Sequence, residues 1–88
     1  LAFEVGKLGI RVNAIAPGSV LTPQFEQNLS ALSPQGREAF EQMVKNIYPL
    51  GKIGSAQDIG DAAVFLASDA AKWVSGAIFA IDGGLTTN

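Results

Sequence analysis

Two short apolar runs do most to limit what this sequence can fold into. Residues 10–16 read IRVNAIA and residues 77–81 read AIFAI. Both are nearly continuous in apolar character rather than alternating, which suits parallel strands covered on both faces. Pro17-Gly18 ends the first run, since proline cannot extend a central ladder, and Asp82-Gly83-Gly84 ends the second. The stretch between them has helical periodicity. Two strands joined by a long helical crossover are parallel, with a right-handed connection. Two such strands by themselves leave open edges and cannot be covered on both faces. The expected class is therefore α/β: two strands at the edge of a larger, doubly wound parallel sheet, with flanking helices.

The helices can be placed from their ends. Leu1, Val5 and Leu8 share one helical face, and Gly9 stands where a left-handed residue closes a helix. Nothing before Leu1 caps that helix, and a helix of about two turns is not stable alone; the expectation is that the chain is cut inside a longer one. Thr22-Pro23 is a helix start, with threonine as N-cap and proline at the first helical position, and a short helix is expected to about residue 32. Ser33-Pro34 repeats the signal. Behind it Phe40, Met43, Val44 and Ile47 fall at i, i+3, i+4 and i+7, an amphipathic helix. Residues 49–54 (PLGKIG) read as a loop. Ser55-Ala56-Gln57-Asp58 forms a capping box with Asp in place of Glu, followed by the apolar face Ile59, Ala62, Ala63, Leu66.

Composition excludes several function classes. The chain has 88 residues, 48% hydrophobic and 16% charged, with a net charge of -2. So much apolar content in so short a chain suggests that part of it meets more protein. Six scattered Lys and Arg form no basic stripe, so nucleic acid is not an expected partner. No run of about 18 apolar residues suggests a membrane span, and no signal peptide is visible. Cysteine and histidine are both absent, which removes disulfides, a Ser-His or Cys-His nucleophile and the usual zinc ligands; no metal site is expected. The lack of cysteine fits a reducing, cytoplasmic location.

The segments Ile10 to Gly18, Val20, Thr22, Pro49-Leu50-Gly51-Lys52, Asp58-Ile59, Phe65 to Asp69, Gly76 and Asp82-Gly83-Gly84, in this order and spacing, resemble the C-terminal third of a short-chain dehydrogenase/reductase. The resemblance covers essentially the whole chain. It implies that residues 1–88 are the C-terminal segment of one Rossmann-type domain, containing its last two strands and flanking helices. It implies an NAD- or NADP-dependent parent enzyme that interconverts an alcohol and a carbonyl. Pro17 and Gly18 would lie beside the nicotinamide, the backbone of Val20 would pair with the carboxamide, and the Thr22 hydroxyl would lie near carboxamide and phosphates. Such a loop follows the carboxyl end of a parallel strand, where open α/β sheets bind ligands, and Gly18 would allow close backbone approach. Pro17-Gly18 also reads as a plain turn and Thr22 as a simple cap; the two readings of Thr22 are compatible, because a helix N-terminus favours anions.

Residues 23–50 match the family's substrate-covering lid, with Phe25, Leu29, Phe40, Met43 and Tyr48 as candidate pocket liners. Phe40, Met43 and Val44 are expected instead to pack the two helices together, and Tyr48 is the least constrained of the group. Tyr48 and Lys52 fit Y-x-x-x-K, the spacing of the family's catalytic pair. That pair must lie one turn apart on a helix, and Pro49 and Gly51 between them forbid it. The Gly-rich phosphate loop and the catalytic Ser, Tyr and Lys have no counterpart here, so the chain alone is expected to be inactive. The resemblance also implies a homo-oligomer contact through helix 56–67 and strand 77–82, where the small residues Ala62, Ala63, Ala67, Gly76 and Ala80 would allow close approach or would simply pack within the chain. Trp73 is expected to plug the space between helix and strand, or else to anchor an interface. The competing view is a self-associating structural remnant or domain-swapped oligomer without retained function.

Overall fold

The computed structural model describes residues 1–87. Helix α1 is Ala2–Gly6, followed by strands β1 (Ala14–Pro17) and β2 (Val20–Leu21), helices α2 (Pro23–Ser30) and α3 (Pro34–Ile47), strand β3 (Gly54–Ser55), helix α4 (Ala56–Ala67) and strand β4 (Ile78–Ile81). Single helical turns occupy Asp69–Ala71 and Leu85–Thr87.

Helices α2, α3 and α4 each begin where their capping chemistry says. The Thr22 hydroxyl accepts the Phe25 N–H at 3.1 Å and the Ser33 hydroxyl accepts the Gly36 N–H at 3.0 Å, each with proline at the next position. Ser55 and Asp58 close the capping box in both directions: Asp58 N–H donates to Ser55 Oγ at 3.2 Å, and Ser55 N–H donates to Asp58 Oδ2 at 2.8 Å. α1 closes with Gly9 at φ 76°, the expected left-handed residue.

β1 and β4 pair in parallel, Ala14 opposite Ile78 and Pro17 opposite Ile81. The expected strand 10–16 is shorter at its start and includes Pro17 at its end. Asn13 sets the start: its Nδ2 donates to the Val74 carbonyl at 3.0 Å and its Oδ1 accepts the Ala77 N–H at 3.1 Å. A side chain thus satisfies groups that a longer ladder would have used. Pro17 is tolerated because the next ladder donor is Gly18 N–H, bonded to the Ile81 carbonyl at 3.1 Å. A second parallel pair, Val20 with Gly54 and Leu21 with Ser55, joins β2 to β3, in a region read from sequence as loop.

Coverage of the main pair is one-sided. Ile15, Phe79 and Ile81 are half-buried on the side of α4, whereas Ala14, Ala16, Ile78 and Ala80 are exposed. The second face, which the sequence assigns to cover from a larger sheet, stays exposed among the described residues. Trp73 does not plug a gap: it is 97% exposed. Met43 is exposed rather than packed between helices, while the rings of Phe25 and Phe40 do meet across α2 and α3, with centroids 5.8 Å apart.

Among the described residues only Val44, Tyr48 and Ala71 are buried hydrophobics. The radius of gyration is 16.8 Å, against about 12 Å for a compact domain of this length. The accessible surface is 6465 Å², against about 4,900 Å² for a compact monomer of this mass. The elements are locally well terminated, but they share no substantial core.

Candidate functional site

Three connections converge beyond the carboxyl ends of β1 and β4: the loop 18–22, the turn 48–54 and the turn 82–84. With Pro17 at the end of β1, the first carries Gly18, Val20 and Thr22, so the four candidate residues lie on one continuous path from β1 into α2. Pro17 and Thr22 are exposed, Gly18 and Val20 half-buried.

Gly18 lies against Asp82. A Cβ at Gly18 would stand 2.8 Å from Asp82 Cβ and 3.0 Å from Asp82 Cα. The missing side chain is therefore required by a neighbour within the chain, which supplies a reason for glycine independent of any ligand. Ser19, which the sequence does not mark out, is held at both ends. Its hydroxyl accepts a hydrogen bond from the Tyr48 hydroxyl at 2.6 Å, and its carbonyl accepts the Gly54 N–H at 3.0 Å.

Tyr48 is not the least constrained residue of its group. It is 6% exposed, and it follows α3 as the C-cap in an extended conformation. Beyond it the chain turns through Gly51 at φ 76°, and Gly51 N–H donates to the Tyr48 carbonyl at 2.7 Å. Lys52 is thus reached through a turn, and the Y-x-x-x-K spacing does not fall on a helix. A serine flanked by Gly18 and Val20, facing a lone tyrosine just after a helix end, is too weak a sequence signal to have found this pair.

The third connection closes the group. Leu50 N–H donates to the Gly83 carbonyl at 3.0 Å, and Gly84, at φ 91°, packs on the Pro49 ring. Burial raises the Asp82 carboxyl pKa, but hydrogen bonds from the Thr86 hydroxyl and from the N–H groups of Gly84 and Thr86 outweigh it and hold the group below its usual range. The Asp58 carboxyl is likewise lowered, first by the Ser55 N–H it accepts. A cleft of about 430 Å³ opens between these turns and α4, lined by Ser19, Lys52, Asp58, Ile59, Ile81 and Asp82 among others.

The Thr22 oxygen accepts the Phe25 N–H, and its proton stays free to donate to an acceptor such as a carboxamide or phosphate oxygen. It does so at a helix N-terminus, where negative charge is favoured. The described residues contain no group of three His, Cys, Asp or Glu able to hold a metal ion, and none of their helices is long and apolar enough to cross a membrane.

Residues 1–86 match the family described as enoyl-(acyl carrier protein) reductase. Over 84 residues the chain is 43% identical to the 7alpha-hydroxysteroid dehydrogenase of Escherichia coli, an alignment covering 96% of this chain and 30% of that enzyme. The solved structure of an oxidoreductase of the short-chain dehydrogenase/reductase family from Burkholderia thailandensis superposes with a TM-score of 0.84 at 41% identity, over 100% of this chain and 32% of that one. A 4-hydroxyisoleucine dehydrogenase solved with NADH gives 0.81 at 38% identity, over 99% of this chain and 33% of that one. The chain thus spans about a third of the length of the relatives it matches, and its strands and helices correspond to part of their Rossmann-type α/β fold. By sequence and by structure alike, the chain belongs to the short-chain dehydrogenase/reductase family.

Proposed function

We propose that this chain serves as the nicotinamide-side wall and substrate lid of an NAD- or NADP-dependent oxidoreductase that interconverts an alcohol and a carbonyl. The carrying observation is the path of residues 17–22, which leaves the carboxyl end of a parallel strand and runs directly into a helix capped by Thr22. Pro17 and Gly18 flank the nicotinamide, Val20 offers backbone groups to the carboxamide, and the Thr22 hydroxyl donates to the cofactor. A nicotinamide held there would supply or accept the hydride, and these residues would orient it. Residues 23–50 form the lid. The proton chemistry belongs to a Ser, Tyr and Lys outside these 88 residues, so the chain alone is inactive. Its bare sheet face and low burial support dependence on further polypeptide of the same enzyme.

The test is Thr22→Val in the complete enzyme, with Thr22→Ser as its conservative partner. Val removes the donor and the cap together; Ser keeps both. Loss of one such hydrogen bond weakens NADH or NADPH binding by about tenfold, and Ser should restore it. A Val variant that binds both dinucleotides as wild type while losing only helix stability would leave Thr22 a plain cap.

A second reading draws on exposed apolar residues of α4 and β4. Val64 is 70% exposed and Phe65 47% exposed on α4, and Ala80 is exposed on β4; these would suit a homo-oligomer contact through 56–67 and 77–82, or a self-associating remnant without retained function. The remnant would associate without any dependence on dinucleotide, and that separates the two.

A further inference from the structure

Tyr48 joins two parts of the chain that the proposed function uses separately. Its backbone ends the lid helix α3, its N–H donating to the Val44 carbonyl at 2.9 Å. Its ring lies close to Gly83, where a Cβ would stand 3.6 Å from Tyr48 Cδ1. Its hydroxyl crosses 29 residues of sequence to reach Ser19 at 2.6 Å. Phenylalanine would fill the same space, so packing does not explain the hydroxyl. A tyrosine this buried needs a partner for its O–H, and the partner chosen is on the loop between Gly18 and Val20. The Gly54 N–H bond to the Ser19 carbonyl, and the β2–β3 pairing that follows it, fasten the same loop residue from its backbone side. The turn that follows the lid helix therefore grips Ser19 by side chain and main chain at once.

We infer that Tyr48 is a positioning residue for the cofactor-side loop: through Ser19 it couples the carboxyl end of the lid helix to the path of Gly18, Val20 and Thr22. The inference rests on the reading of residues 17–22 as the nicotinamide-side wall. With the bond in place, the loop is held in its binding geometry before the dinucleotide arrives. Without it, part of the binding energy goes into ordering the loop. The two partners are not equivalent. Removing the Tyr48 hydroxyl leaves the exposed Ser19 hydroxyl to water, whereas removing the Ser19 hydroxyl leaves a buried phenol without a partner.

The experiment is a cycle of Tyr48→Phe, Ser19→Ala and the double variant in the complete enzyme, titrated with NADH and NADPH, with Thr22→Val alongside. Tyr48→Phe should raise the dinucleotide Kd about three- to tenfold, the range of one neutral hydrogen bond. Ser19→Ala should raise it at least as far and also lower the denaturation midpoint more than Tyr48→Phe does. The double variant should bind no worse than the weaker single. Losses that multiply in the double variant would overturn direct coupling. Wild-type binding by both singles, with weakened binding by Thr22→Val, would overturn the role of Tyr48 and leave the loop reading intact. Wild-type binding by all three would remove the loop reading and the inference together.

Discussion

Gly18→Ala tests whether the loop is held against Asp82 as tightly as the geometry says. The new methyl would sit 2.8 Å from Asp82 Cβ and 3.0 Å from Asp82 Cα. Carbon atoms pack comfortably at about 3.5–4.0 Å, so the two segments must part by about 0.7 Å. Neither obstructing atom can swing aside, because both lie at the root of the residue. The separation falls on the Gly18 N–H bond to Ile81, now 3.1 Å, and would stretch it to about 3.8 Å, outside hydrogen-bond range. Overpacking of this kind costs about 1–3 kcal/mol and the lost bond about 1 kcal/mol more. Gly18 is not among the glycines with positive φ, so alanine carries no backbone strain and recovers about 0.4–1 kcal/mol through the unfolded chain. The net expectation is about 1–3 kcal/mol of destabilisation in equilibrium urea unfolding of the complete enzyme. Gly60→Ala is the matched control. It lies within α4, meets nothing within 4 Å, and should stabilise by about 0.5–1 kcal/mol. If Gly18→Ala proves neutral or stabilising, Asp82 does not press on the loop, and sterics do not require glycine at this position.

Other consequences can be measured in the same way. Asn13→Leu removes two bonds and leaves the Ala77 N–H without its acceptor, so stability should fall by about 1–3 kcal/mol by urea denaturation. Ser55→Ala breaks the capping box and should cost about 1 kcal/mol by the same assay. The Asp58 carboxyl is lowered on folding, so its contribution is complete above the unfolded value of 3.8 and is lost as pH falls through the lower folded value; the stability gap between wild type and Asp58→Ala should stay constant near neutrality and close on acidification below that point. The isolated 88-residue chain should sediment as a concentration-dependent associating species and bind a hydrophobic dye, because its surface exceeds that of a compact monomer; a single compact monomer at all concentrations would contradict this.

What could be read directly from sequence was whatever depends on neighbours within four residues. Thr22-Pro23, Ser33-Pro34 and Ser55 to Asp58 announce helix starts because the hydroxyl and the N–H it accepts lie three positions apart, and all three caps form as expected. Gly9 follows the same logic at a helix end. The parallel relation of β1 and β4 was also accessible, since it follows from the length and helical character of the crossover. Their true lengths were not. Asn13 shortens the ladder by bonding to Val74 and Ala77, partners more than 60 residues away, and no local pattern reveals that. Trp73 failed for a related reason: its apolar character demanded burial, but nothing among the described residues supplies the partner.

The site divides along the same line. Pro17, Gly18, Val20 and Thr22 stand out through the resemblance to the family, on a stretch that follows a strand, and the structure keeps them on one path from β1 into α2. What holds the loop does not lie next to it in sequence. Asp82 explains Gly18 across the sheet, Gly54 holds the Ser19 carbonyl through the short β2–β3 pair, and Tyr48 holds its hydroxyl from the end of α3. Each support comes from outside the loop, and the supporting turns are themselves joined where Leu50 meets Gly83 and Pro49 meets Gly84. A loop braced from three sides can keep one geometry even where the described residues include three buried hydrophobics, because its order depends on hydrogen bonds and close backbone contacts rather than on a large core. Perturbing the bare sheet face should therefore change association and global stability well before it changes the shape of residues 17–22, whereas a single hydroxyl removed at Tyr48 should do the reverse.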